Sequence, residues 1–143
     1  MTTAHVVVAP INSGTITGTA AFMNVTNGVQ VIITLANCPA GDHGIHIHEG
    51  TACTNSTTQG GHWGGTGTAA MPTRGEGIGG VGTGVITCGF NGTAGLTYTR
   101  TNADPATAWT IGGDAATNVI GHPLIVHGLT STDREGCGVI QAN

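Results

Sequence analysis

Of the seven histidines in this chain, four fall into a pattern that could do chemistry. In Gly41-Asp42-His43-Gly44-Ile45-His46-Ile47-His48-Glu49, an extended backbone puts His46 and His48 on one face and Ile45 and Ile47 on the other. Two imidazoles about 7 Å apart along a strand can close on one metal ion, although the pair alone fits two solvent-facing histidines equally well. His43 stands at odd spacing from both, so it faces away and reads as a structural hydrogen-bonding group. His62, beside Trp63 in a glycine-rich stretch, and His127, which closes Leu124-Ile125-Val126, bring two more donors from two further segments. Four nitrogen donors with no thiolate and no nearby carboxylate favour a tetragonal Cu(II) centre, and the divalent affinity order sets copper above zinc. His5 and His122 lack any such setting and read as surface residues.

The elements that must position these donors are strands. Twenty-six glycines and abundant threonine, with few Leu or Glu and no Lys, disfavour helix and suit extended structure. β-Branched or alternating runs bounded by Gly, Asn, Asp or Pro predict strands at 4–9, 15–24, 29–36, 43–49, 80–88, 95–101, 119–127 and 137–141. Eight short strands imply a sandwich or barrel, and 143 residues with 38% hydrophobic content match one domain over 1–143 with one modest core. Asn27-Gly28 and Asn91-Gly92 predict tight turns, each between two antiparallel partners. Residues 50–79 and 102–118 are irregular, and a loop as long as the first is usually functional.

Charge narrows the partner classes. Charged residues make up 7% of the chain and Arg74, Arg100 and Arg134 are its basic groups, so it carries no basic patch for nucleic acid or an anionic membrane. No apolar run approaches the roughly 20 residues of a membrane span. Four cysteines and the sequons at Asn24, Asn55 and Asn91 fit a secreted protein facing an oxidising space. The sequence opens almost directly into a strand-like run, so the expectation is an extracellular mature domain whose signal peptide is absent here. Nothing in the pattern bears on oligomeric state.

Read in order, the His43–Glu49 block, Gly61-His62-Trp63, Gly121-His122-Pro123-Leu124-Ile125-Val126-His127 and Arg134-Glu135-Gly136-Cys137-Gly138-Val139-Ile140 resemble the copper/zinc superoxide dismutase family over nearly the whole chain. The resemblance implies an all-β fold, an eight-stranded antiparallel Greek-key β-barrel of immunoglobulin-like sandwich type. It implies copper held by His46, His48, His62 and His127, superoxide as the substrate, Arg134 as the anion-guiding arginine, and His62 as the carrier of a proton. It further implies a Cys53–Cys137 disulfide; Cys38 and Cys88 then remain as a second disulfide or two buried thiols. The plainer reading of Arg134 is a surface ion pair with Asp133 or Glu135.

Two departures from the zinc-containing members stand out. In those members the residue matching His62 bridges copper to a zinc ion whose other ligands, two histidines and an aspartate, follow in the same loop. Here residues 64–79 contain neither His nor Asp, and Glu76 alone cannot complete a four-donor zinc site with His62. The long charged loop over the active site is reduced to residues 128–133, which predicts an open site. Both features resemble the zinc-free, copper-only superoxide dismutases and related extracellular repeat domains, and so imply one copper and no zinc. Glu76 then reads as the carboxylate that orients His62, against the plainer reading of a solvated glutamate. A rival from another class is a non-catalytic extracellular copper-binding or adhesion module that keeps the barrel. The complete set of four ligands with Arg134 favours catalysis over that rival.

Overall fold

The structure, a computed structural model, describes residues 2–129 and 133–143. Its strands are β1 (Thr3–Pro10), β2 (Thr17–Val25), β3 (Gly28–Ala36), β4 (Gly41–Ile47), β5 (Val85–Cys88), β6 (Ala94–Thr101), β7 (Pro123–His127), β8 (Arg134–Val139) and the short β9 (Gln141–Ala142). Among the described residues, helix is confined to one turn, α1 (Ser56–Gln59), and a 3-10 turn at Ile78–Gly80. Hydrogen-bonded neighbours run β5-β4-β7-β8-β1-β2-β3-β6, with β9 beside β1. Every pairing between the named strands is antiparallel, and β4–β7, β8–β1 and β3–β6 are crossovers between strands distant in sequence. Because β5 and β6 at the two ends approach each other, the path curls into a nearly closed Greek-key barrel of eight strands.

Alternation decides what enters the core. Along β1, Ala4, Val6 and Val8 are buried while Val7 is 66% exposed; along β3, Val29, Val31, Ile33 and Leu35 are buried around exposed Ile32. Phe22 meets Trp109 edge to face with ring centroids 6.1 Å apart, so the second irregular stretch contributes to the same interior. The β2–β3 hairpin turns at Asn27, whose φ of +59° is a left-handed conformation that asparagine tolerates.

Some expected boundaries move, each for a local reason. The predicted strand at 80–88 begins at Val85, because Gly79, Gly80, Gly82 and Gly84 all adopt positive φ. That at 119–127 begins only at Pro123, and that at 137–141 begins earlier, at Arg134. Gly138 is no strand breaker there: a Cβ on it would lie 2.2 Å from the Val7 carbonyl oxygen, so glycine is what lets β8 approach β1. The Asn91-Gly92 turn exists, but β5 and β6 do not pair across it, since β5 ladders with β4 and β6 with β3. The turn instead steps across the seam of the barrel. There Cys38, just beyond β3, is disulfide-bonded to Cys88 at the end of β5.

Candidate metal centre

The four histidines converge because one strand end and one loop are tied together. His46 lies on β4 opposite Ile125 of β7, and His48 follows one residue past the strand with its amide donating to the Pro123 carbonyl at 2.8 Å. From there the chain makes an excursion through α1 and returns: the amides of Glu49, Gly50 and Thr51 donate to the carbonyls of Gly61, Gln59 and Thr58 at 2.9, 2.9 and 3.0 Å. That return sets His62 across a single bridge from His48. His127 ends β7 opposite Arg134, after a register irregularity between Val126 and His127 that re-aims the side chain. Gly44 keeps the approach clear, since a Cβ there would already sit 3.3 Å from the His46 ring and 3.5 Å from that of His127.

One ring nitrogen from each of His46, His48, His62 and His127 lies within 4.8 Å of the others. The hydrogen bonds around them say which nitrogens are free. His48 Nδ1 donates to the Gly60 carbonyl at 2.8 Å and His62 Nδ1 to Glu76 Oε2 at 2.6 Å, which leaves the Nε2 lone pair of each ring for another partner. His48 Nε2 and both ring nitrogens of His46 and of His127 are buried with no hydrogen-bond partner. Orphaned imidazole nitrogens from several rings in one dry spot would be costly in a finished protein core, and a metal ion would take one nitrogen from each ring. The donor set therefore fits copper.

Electrostatics keeps the rings ready to ligate. Burial pushes His46 down to about 3, helped by the neighbouring His62, His127 and His48. Burial likewise lowers His48 to about 4 against the raising effect of its bond to Gly60, with Arg134, His62 and His127 adding to the fall. His127 is lowered to about 4 by burial, His62 and Arg134, against the raising effect of the nearby Asp133 backbone and carboxylate. At neutral pH these three rings are unprotonated and their lone pairs available.

Residues 14–140, most of the chain, match the sequence profile of the family described as Copper/zinc superoxide dismutase (SODC). The chain belongs to the copper/zinc superoxide dismutase family. A search among curated proteins finds no match.

Within this superoxide dismutase fold, Glu76 is fully buried rather than solvated. Its Oε2 faces His62, while Oε1 accepts from the amides of Gly67 at 3.0 Å and Thr73 at 2.9 Å. Burial alone would raise the carboxyl, but the bonds from Thr73, His62 and Gly67 outweigh it and hold Glu76 below its ordinary value, as a carboxylate. His62 is the one cluster member with appreciable exposure, 19% of its side chain. Residues 130–132, in the shortened loop between His127 and Arg134, lie outside the described residues.

Arg134 donates to Gln59 Oε1 at 2.9 Å, a partner supplied by α1 rather than by Glu135. Gln59 is itself buried and donates to the Cys53 carbonyl at 3.1 Å, and Cys53 is bonded to Cys137, three residues beyond Arg134 on β8. Closing 84 residues of chain, that disulfide contributes about 4–5 kcal/mol in the chain-entropy model. His43 is buried with its two ring nitrogens against the carbonyl oxygens of His127, at 2.7 Å, and Pro39, at 2.6 Å, as its odd spacing implied.

His122 departs from expectation. It is half-buried instead of lying at the surface, stacks on Trp63 with centroids 4.2 Å apart, and its Nδ1 donates to the His48 carbonyl at 3.0 Å. Burial lowers its pKa against the raising effect of that bond. Gln59 and His122 thus support the cluster from behind, and neither stands in a spacing that the sequence reading could use. The one signal was their neighbours, since Gln59 and His122 each sit close in sequence to a block that carries a ligand.

Proposed function

We propose that the chain is a copper-only superoxide dismutase domain of extracellular setting, which binds one copper and no zinc and converts two superoxide anions and two protons into oxygen and hydrogen peroxide. The observation that carries this reading is the hydrogen bond from His62 Nδ1 to the buried Glu76 carboxylate. It occupies the ring nitrogen that in zinc-containing relatives would face the second metal, and it does so in a loop with no other His or Asp to complete a zinc site. Two disulfides support an extracellular setting.

His46, His48, His62 and His127 would hold the ion. Bound copper supplies the one-electron couple that oxidises one superoxide and reduces the next. The chain supplies the rest. Arg134, fixed by Gln59, presents its guanidinium near the cluster, where it attracts and orients a small anion in a protein of net charge −4 that otherwise repels it. His62 would take up a proton at Nε2 only when that nitrogen is not holding the ion, and then deliver it, with its ring orientation set through Nδ1 by Glu76.

The test is metal content and superoxide consumption measured on one sample after exposure to both metals. One copper, no zinc and rapid consumption are expected. Stoichiometric zinc beside copper would overturn the zinc-free reading. Bound copper with no consumption would leave the non-catalytic copper-binding module in its place.

A further inference from the structure

Arg100 is a buried cation with no part in the chemistry described so far. It sits on β6, on the far side of the Glu76 loop from the histidines. Its guanidinium lies over the Trp109 ring at 4.3 Å and the Tyr98 ring at 5.6 Å, and its Nε donates to the Tyr98 hydroxyl at 3.0 Å. From that clamped position Nη1 donates to the carbonyls of Arg74, at 3.0 Å, and Thr107, at 2.8 Å, while Nη2 donates to the carbonyl of Glu76. Burying a guanidinium is expensive unless its donors are used, and here two of them go to Arg74 and Glu76, in the segment that carries the Glu76 carboxylate.

The tripeptide Arg74-Gly75-Glu76 is held at each carbonyl. That of Arg74 also accepts from Trp109 Nε1 at 2.8 Å, that of Gly75 accepts from the Ile47 amide at 2.9 Å, and that of Glu76 takes Arg100. Gly75 is wedged so tightly between β4 and Trp63 that a Cβ would lie 2.1 Å from the Ile47 carbonyl oxygen. Ile47 in turn separates His46 from His48. The segment is therefore fixed on one side to the ligand-bearing strand and on the other to Arg100.

We infer that Arg100 is a positioning residue for the metal centre: by gripping the Arg74 and Glu76 carbonyls in one planar fork, it fixes the Glu76 carboxylate against His62 Nδ1. This rests on the role given to Glu76 above. Lysine would keep the charge but could not span both carbonyls from a rigid plane.

The experiment follows the histidine side chains of the 15N-labelled, copper-free protein by NMR, alongside copper content and superoxide consumption of the loaded enzyme. In the parent, the His62 Nδ1 proton is expected to be protected from solvent exchange by its bond to Glu76. Arg100→Lys is expected to lose that protection with the His46, His48 and His127 rings unchanged, to retain copper, and to consume superoxide about tenfold more slowly. Parental protection and activity in a folded Arg100→Lys variant would overturn the inference. Should Arg100→Lys not fold, the parent protein is itself the test: its Arg100 Nη protons should be resolved and slow to exchange because both nitrogens are held by carbonyls, and a freely rotating, rapidly exchanging guanidinium overturns the inference. Glu76→Gln separates the two levels. If it alone loses activity and Nδ1 protection, the Arg100 inference fails and the reading of Glu76 stands; if it behaves as parent, both fail.

Discussion

Along β1, β2 and β3, residues alternate between core and water, so Val7 and Ile32 stand in solvent between buried neighbours. Along β7 every residue is buried, and on β4 His43, His46, Ile45 and Ile47 all are, because loops cover the face that water covers elsewhere. On the wet side the cohesion lies in backbone ladders and apolar burial. On the covered side polar groups are enclosed as well, and each needs a partner: His43 has two carbonyls, Glu76 has two amides and a ring, Arg100 has three carbonyls. The unpartnered nitrogens of His46, His48 and His127 are exceptions among the described residues, and one nitrogen from each of these rings lies at the common site. A dry polar region thus marks its own site by what it leaves unsatisfied.

Acid should break this contrast most severely. His46, His48 and His127 have folded-state values of about 3, 4 and 4, below the ordinary value of about 6.5 that they regain on unfolding. The unfolded chain therefore binds more protons between those limits, so stability from these groups is complete above about pH 6.5 and is lost as pH falls toward 4. With three groups acting together the slope reaches up to about 4 kcal/mol per pH unit. In the metal-free protein, thermal unfolding followed from pH 7.5 to 4 should fall steeply across that window, with amides of β4 and β7 losing exchange protection before those of β2 and β3. A flat profile would mean that the covered side is no more acid-sensitive than the wet one.

The converse perturbation sits on the wet side. Ile33→Ala removes a fully buried side chain remote from the histidines and should cost about 3 kcal/mol by denaturant titration. Copper binding and superoxide consumption per folded molecule should stay at parental levels. A parallel loss of copper would show that the two sides are not separable. The smallest effect is confined to the site: Arg134→Ala should leave stability and copper affinity nearly unchanged, because the arginine is no ligand, while slowing superoxide consumption several-fold. Parental kinetics would remove Arg134 from anion guidance.

What could be read from the sequence divides along the same line. β1 and β3 were visible within a residue at each end, because a strand with one wet face writes its alternation into the chain. The His46/His48 pair was visible for the same reason. Strands β5, β7 and β8 were misplaced at their starts: the glycines before Val85 adopt positive φ and delay β5, β7 is buried at every residue and so does not alternate, and the glycines of β8 serve close approach rather than termination. Arg74 and Arg100 gave no signal beyond their rarity. They bind backbone carbonyls, Arg74 those of Ala108, Ala116 and Pro105, and a carbonyl is present at every residue. Glu76 was legible only because the loop offered no other acid.

The seam between β5 and β6 carries a consequence for behaviour at high concentration. A sheet that ends in open edges offers rows of free amides and carbonyls on which a second molecule can grow, the first step toward fibres. In this barrel the two terminal edges of the strand path turn toward each other across the Asn91-Gly92 step, and the Cys38–Cys88 bridge holds them there. The disulfide beside that seam thereby also helps to hide its templates, so reduction of Cys38–Cys88 is expected to expose the molecule to strand-by-strand aggregation.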